Sequence, residues 1–153
     1  MIAVVLGVFV ILYAQSSPTS VKPPRLKYFS DDDGKSFFED DYLKAGPFKR
    51  NGKEAVVARV FRCPDGKLFV GYLERAKDEQ ARTFLEDAGR TLIATAATQP
   101  TASADPDLIT RMQSVTQVKR PGDAQWVDVT GPEGGKVIAV TCPGGGAPAF
   151  AMP

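Results

Sequence analysis

The sequence predicts an α+β fold: an N-terminal membrane helix followed by a small antiparallel β-hairpin domain with one long packed helix. Three observations carry that expectation. Residues Ile2 to Ala14 form an uncharged apolar run with no counterpart elsewhere in the chain. Between Leu26 and Leu73, β-branched and aromatic stretches are punctuated by Asp-Gly and Asn-Gly turn signals. From Arg75 onward the apolar spacing changes to the helical period.

The apolar run is short for a membrane span. As a helix it reaches roughly 20 Å, against a hydrocarbon core of about 30 Å. Adding Gln15, Ser16 and Ser17 brings residues 1–17 near the lower limit for crossing. No basic side chain precedes the run, and Leu12 is a poor residue three places before a cleavage point at Gln15. An uncleaved or truncated anchor is therefore favoured, with a cleaved signal or a buried core helix as alternatives. Lys22, Arg25 and Lys27 follow the run, which the positive-inside rule reads as a cytoplasmic domain. The short N-terminal tail and the signal-like character argue for the exported side, periplasmic or extracytoplasmic, and that is the expectation taken.

Residues 18–25 read as an extended linker, with Pro18, Pro23 and Pro24 limiting its conformations. The domain expected over 26–143 opens with a hairpin from Leu26–Ser30 through the Asp31-Asp32-Asp33-Gly34 turn to Lys35–Phe38. Gly46-Pro47-Phe48 and Asn51-Gly52 mark further turns. The strongest strand pair is Ala55–Cys63 with Lys67–Leu73, joined at Pro64-Asp65-Gly66. The faces of this pair stay open without the register. Ala81, Phe84, Leu85, Ala88 and Leu92 then form one apolar stripe on a helix from about Ala76 to Ala96. Its charged residues read as a solvated face. Asp105-Pro106-Asp107 predicts an N-cap with proline at the first helical position, opening a short helix from Pro106 to Met112. Ser114–Lys119 and Gln125–Val129 read as a strand pair about Pro121-Gly122-Asp123. The run Lys136–Val140 fits either a helix started at Gly131-Pro132-Glu133 or a last strand ending at Cys142. Residues 144–153, rich in Gly, Pro and Ala, read as a flexible tail.

Composition narrows the function. The chain has 153 residues and 43% apolar content, enough for one small domain behind the anchor. Nineteen basic against 18 acidic residues leave a net charge of +1, so no electrostatic field points to nucleic acid. There is no histidine, which removes the commonest general base, the His-dependent nucleophile pairs and most catalytic zinc sites. Carboxylates and lysines remain as the means of an enzyme.

The segment Tyr28-Phe29-Ser30-Asp31-Asp32-Asp33-Gly34-Lys35-Ser36-Phe37-Phe38 resembles the Y-(Y/F)-x-x-D-D-G-K-(S/T) opening of small membrane-anchored proteins common in planctomycete genomes. Similar, too, are Pro47-Phe48, Gly52-Lys53-Glu54-Ala55, the single Cys63 before Gly66-Lys67, and Gly71-Tyr72-Leu73-Glu74-Arg75. A lone Trp126 and the late Cys142-Pro143-Gly144-Gly145 match more loosely. The resemblance is close over Tyr28 to Arg75. It implies one N-terminal membrane segment and transfers no catalytic residue, because the function of those proteins is not established.

Three features could carry chemistry. Cys63 and Cys142, 79 positions apart, each open a Cys-Pro-x-Gly frame. A disulfide is the economical reading, with two buried thiols or a metal as alternatives; without histidine, two thiolates cannot complete a tetrahedral site. The acidic groups Asp31-Asp32-Asp33 and Glu39-Asp40-Asp41 offer a weak Ca²⁺ candidate in Asp31, Asp33 and Asp40. Phe29 occupies the first ligand position of that frame, so a solvated turn is the stronger reading. The aromatics Tyr28, Phe29, Phe37, Phe38, Tyr42, Phe48, Phe61, Phe69 and Tyr72 fall on expected strands, where core packing accounts for most of them. Any of them exposed at a sheet edge would make a docking surface. The expectation is a non-enzymatic interaction or structural module: bound to lipid by its N-terminal helix, docked on a protein partner, and using no cofactor or catalytic residue. The alternative is a carboxylate-dependent enzyme or a Ca²⁺-dependent binder built on the two acidic loops.

Overall fold

The computed structural model describes residues 25–153. The anchor expected over 1–17 and most of the linker lie outside the described residues. Among the described residues no helix is long and apolar enough to cross a membrane.

Among the described residues the fold is α+β, with eight strands in an antiparallel sheet and three helices. In chain order these are β1 (Leu26–Ser30), β2 (Phe38–Asp41), β3 (Phe48–Arg50), β4 (Lys53–Arg62), β5 (Leu68–Ala76), α1 (Glu79–Thr98), α2 (Pro106–Ser114), β6 (Thr116–Lys119), β7 (Val127–Asp128), α3 (Pro132–Ile138) and β8 (Ala149–Phe150). The main path of the sheet runs β2-β1-β4-β5-β6-β7, with β3 and β8 also pairing with β4.

The strongest hairpin of the sequence is the centre of the sheet. β4 and β5 pair from Val57↔Glu74 to Arg62↔Leu68, with a register shift between Arg59 and Val60. Arg59 faces Tyr72 and Val60 faces Val70, so Gly71 is the extra residue of a bulge. The bulge answers the open question of faces. Val56, Ala58 and Val60 share one face with Val70, Leu73 and Ala151, and Tyr28, Phe37 and Trp126 pack over it. By alternation, Val57, Arg59 and Phe61 point to the second face with Phe69, Tyr72 and Glu74. A side chain at Gly71 would put its Cβ 2.7 Å from a Phe61 ring carbon and 2.9 Å from Val140 Cγ1. The missing Cβ is what lets the ring lie against the bulge.

The first hairpin departs from expectation. The return strand starts at Phe38, not Lys35, leaving a loop over 31–37. Local side chains hold this wider loop: Gly34 N–H donates to Ser30 Oγ at 2.8 Å, and Ser36 N–H donates to an Asp32 carboxylate oxygen at 2.9 Å. Asp33 ties the loop to the β6–β7 turn, accepting from Gly122 N–H at 2.9 Å and pairing with Lys119 at 2.6 Å. Glu39, Asp40 and Asp41 therefore sit on β2, at the edge of the sheet. Asn51 and Gly52 make the tight turn between β3 and β4, both with positive φ, +49° and +78°.

β5 runs on to Ala76, because Arg75 and Ala76 pair with Gln117 and Thr116 of β6. The long helix therefore begins at Glu79, three residues later than the period alone places it. Its cap is Asp78, whose carboxylate accepts from Ala81 N–H at 2.8 Å. Ala81 and Ala88 of the stripe are buried, while Phe84, Leu85 and Leu92 are only half-buried. α2 starts as expected, with Asp105 accepting from Asp107 N–H at 3.0 Å and Pro106 in its first turn. Of the two readings of 136–140, the helical one holds: α3 packs against β6 and β7 and buries Val137.

The tail is the largest correction. Residues 144–153 are not a free segment. Ala149 and Phe150 pair with Arg62 and Phe61, Ala151 N–H donates to Val60 O at 2.9 Å, and Ala151 is buried in the core. The bridge between Cys63 and Cys142, whose Cα atoms lie 5.8 Å apart, ties the start of this segment to the residue that follows β4.

Candidate functional site

Val57 pairs with both Phe29 and Glu74, and Phe61 with both Phe150 and Phe69. β1 and β8 therefore lie on the same edge of β4, opposite β5. β1 pairs only at its last two residues and then leans toward β2, while β8 reaches only as far as Val60. Among the described residues, Ala58 and Arg59 are left without a ladder partner on that edge. A hollow of about 40 Å³ occupies the seam, lined by Lys27, Tyr28, Tyr42, Val57, Ala58, Arg59 and residues 150–153.

Its chemistry is cationic and aromatic. The Lys27 ammonium lies 5.5 Å from the Phe29 ring centre and 5.4 Å from that of Tyr42. Among the described residues no carboxylate lies within ion-pair distance of it. Burial, and next the Arg59 guanidinium, push its pKa down from 10.5 to about 8. Arg59 is held differently. Its Nε and Nη2 donate to the two Glu74 oxygens at 2.9 Å each, a bidentate pair that raises its pKa. Burial raises the neighbouring Tyr72 hydroxyl. Phe61 gathers Phe69, Tyr72 and Phe150 at ring distances of 6.2, 6.1 and 5.7 Å. Around the mouth, Phe150 is 52% and Met152 44% exposed.

The acidic residues singled out in the sequence do not converge. Asp31 pairs with Arg50 at 3.1 Å, Asp33 with Lys119, and Asp40 with Lys44 at 2.7 Å. The Lys119 ammonium holds Asp33 below the usual carboxylate range. Against the cost of partial burial, the Lys44 ammonium and the Asp41 amide do the same for Asp40. Hydrogen bonds from Ser36 bring Asp32 to about 2. Asp32, Asp33 and Asp40 are thus kept ionised by their own partners, the opposite of the raised pKa expected of a general acid. Among the described residues no group of three or more potential ligands could hold a metal ion.

Of the aromatics, Phe29 is buried and stacks on Phe38, while Tyr28 meets Phe37 edge to face at 4.9 Å. Trp126 lies between Arg75, 4.4 Å from its ring centre, and Lys119 at 5.5 Å. Sequence reasoning missed Lys27, Arg59, Phe150 and Met152 as members of one site. Arg59 carried a visible signal, a single charge inside the apolar run Ala55–Phe61. Lys27 was counted with the charges that follow the anchor, and the other two fell in the expected tail. No protein-family model, curated protein or solved structure matches the chain.

Proposed function

We propose that the chain is a membrane-anchored, non-enzymatic interaction module. Its N-terminal apolar segment holds it to the lipid, and its α+β domain docks outside the cytoplasm on a protein of the envelope or of a larger membrane complex. The observation that carries this reading is the seam beside β4, where Phe150 and Met152 are exposed around a cationic hollow. The Cys63–Cys142 bridge supports an oxidising compartment and so the exported orientation. The resemblance to planctomycete membrane-anchored proteins supports the anchor. The alternative, a carboxylate-dependent enzyme or a Ca²⁺ binder, draws less support, because Asp31, Asp33 and Asp40 are each engaged by a separate cation.

The test is native electrophoresis of membranes from producing cells. The wild-type chain is expected to resist carbonate extraction and to migrate in an assembly larger than its own mass. Phe150→Glu is expected to release it from that assembly while leaving it in the membrane. A wild-type chain that carbonate extracts, or one that migrates alone, sinks the reading.

A further inference from the structure

Three turns of the chain place an aspartate or asparagine before glycine: Asp33-Gly34, Asn51-Gly52 and Asp65-Gly66. Such a pair carries its own chemistry, because glycine has no Cβ to keep its amide nitrogen away from the preceding side-chain carbonyl. Two of the three are tied down. Gly34 N–H donates to Ser30 Oγ at 2.8 Å, and the Asp33 carboxylate accepts from Gly122 N–H at 2.9 Å and pairs with Lys119. Gly66 N–H donates to Cys63 O at 2.8 Å, and the Asp65 carboxylate accepts from Lys67 N–H at 3.0 Å. The third is free. Asn51 and Gly52 are exposed at the tip between β3 and β4. Among the described residues neither the Asn51 carboxamide nor Gly52 N–H takes part in a hydrogen bond. A Cβ at Gly52 would meet nothing within 4 Å, so no packed side chain obstructs a ring formed there. Asn51 is also the only asparagine of the chain.

We propose that Asn51 is a site of spontaneous covalent modification, where water converts its carboxamide to an acid by way of a ring closed with Gly52. The Gly52 nitrogen attacks Asn51 Cγ, a C–N bond forms, and the carboxamide nitrogen leaves as ammonia with the amide proton. Water then opens the cyclic imide at either carbonyl. One opening gives an aspartyl residue. The other gives an isoaspartyl residue, whose backbone runs through the former side chain and is one carbon longer. No oxidant, metal or second protein takes part. The acid carries a charge that the amide lacked, taking the formal net charge from +1 to zero. The longer backbone falls in the turn that sets the Arg50↔Lys53 register. Among the described residues β3 pairs with β4 alone, over three residues, so the loss is confined to β3 and β4 keeps its pairing with β5. The site lies apart from the docking seam and is independent of that reading.

The experiment incubates the folded full chain in detergent micelles at fixed temperature, from neutral to weakly alkaline pH, beside a urea-unfolded sample. Peptide mass analysis reads the acid at position 51. An isoaspartyl methyltransferase with labelled S-adenosylmethionine reads the longer isomer. Asn51 is expected to be lost from the folded chain within about tenfold of the unfolded rate, as for a loop tip that opens readily. The rate is expected to rise about tenfold per pH unit as the attacking amide deprotonates. Asn51→Gly keeps a residue at ease with positive φ, and is expected to abolish the acid and the methyl acceptor at that position. In Asp65→Asn two Asn-Gly pairs compete within one folded chain. Position 51 is expected to convert, and position 65 to last about tenfold longer or more, its turn being hydrogen-bonded. A folded chain that keeps Asn51 while the unfolded one loses it overturns the proposal. Equal loss at 51 and 65 overturns it too, because free hydrogen-bonding groups would then not decide the site.

Discussion

Lys27 sits between the Phe29 and Tyr42 rings, and among the described residues no carboxylate lies within ion-pair distance of it. The groups that face it are Arg59 on β4, Glu74 on β5, Glu86 on α1 and Asp41 on β2, and burial outweighs all of them. Its folded pKa of about 8 lies below the unfolded value of 10.5, so between those pH values the unfolded chain binds more protons. Stability is therefore expected to rise with pH across the window from about 8 to 10.5, and to carry the full cost of the charge below it. Chemical denaturation of the full chain at intervals across that window checks the sign. Lys27→Met keeps the packed stem and removes the charge, so it is expected to flatten the rise and to leave stability at pH 7 equal or higher. A stability that falls through the window in the wild type, with no difference in the variant, would show that Lys27 is not desolvated.

At the scale of elements, one glycine sets the sheet's two faces. Without the bulge at Gly71, Val70 and Tyr72 would share a face, and the Tyr72 ring would enter the core beside Val60. Gly71→Ala is expected to cost about 1–3 kcal/mol by forcing the Phe61 ring and Val140 to move. Gly52→Ala meets nothing within 4 Å, so its cost, about 1–2 kcal/mol, comes only from the left-handed backbone. The second change separates the two causes. Phe61→Leu should recover part of the loss at Gly71 and none at Gly52, as read from denaturation midpoints; equal recovery at both would remove the ring contact as the explanation. The strands and helices themselves were largely legible. Turn residues placed β4, β5 and the Asn51-Gly52 hairpin, and the helical stripe located α1 to within three residues. The misplaced boundaries share a cause. The end of β5 is defined by a partner distant in sequence, Thr116 of β6, and the start of β2 by side-chain hydrogen bonds within the 31–37 loop; local periodicity carries no record of either.

For the whole molecule, the bridge between Cys63 and Cys142 joins the β4–β5 turn to the end of the chain. It closes a loop of 79 positions, which the chain-entropy account values at about 4 kcal/mol. Cys142→Ser is expected to lower Tm by roughly 10 °C or more and to loosen β8, uncovering Val60 and Ala58. Thermal unfolding with and without reductant gives the first quantity, and amide exchange of Ala151 gives the second. An unchanged Tm together with a protected Ala151 would mean that strand pairing alone holds the tail. Mass analysis under reducing and non-reducing conditions, with thiols blocked at lysis, establishes whether the bridge is present in the cell.

The sequence by itself determined the α+β class, the central hairpin, the helix cap at Asp105 and the two cysteines suited to pairing. All of these depend on residues close together along the chain or on the redox chemistry of one residue type. It also supplied the apolar N-terminal run on which the proposed anchoring rests. Only the tertiary structure decided that the tail is a strand, that Asp31, Asp33 and Asp40 face separate cations, and that Lys27 and Arg59 meet at one seam. The tail and the seam depend on which edge of β4 a distant segment takes. That choice follows from burial and pairing summed over the whole sheet, and no local pattern of residues encodes it.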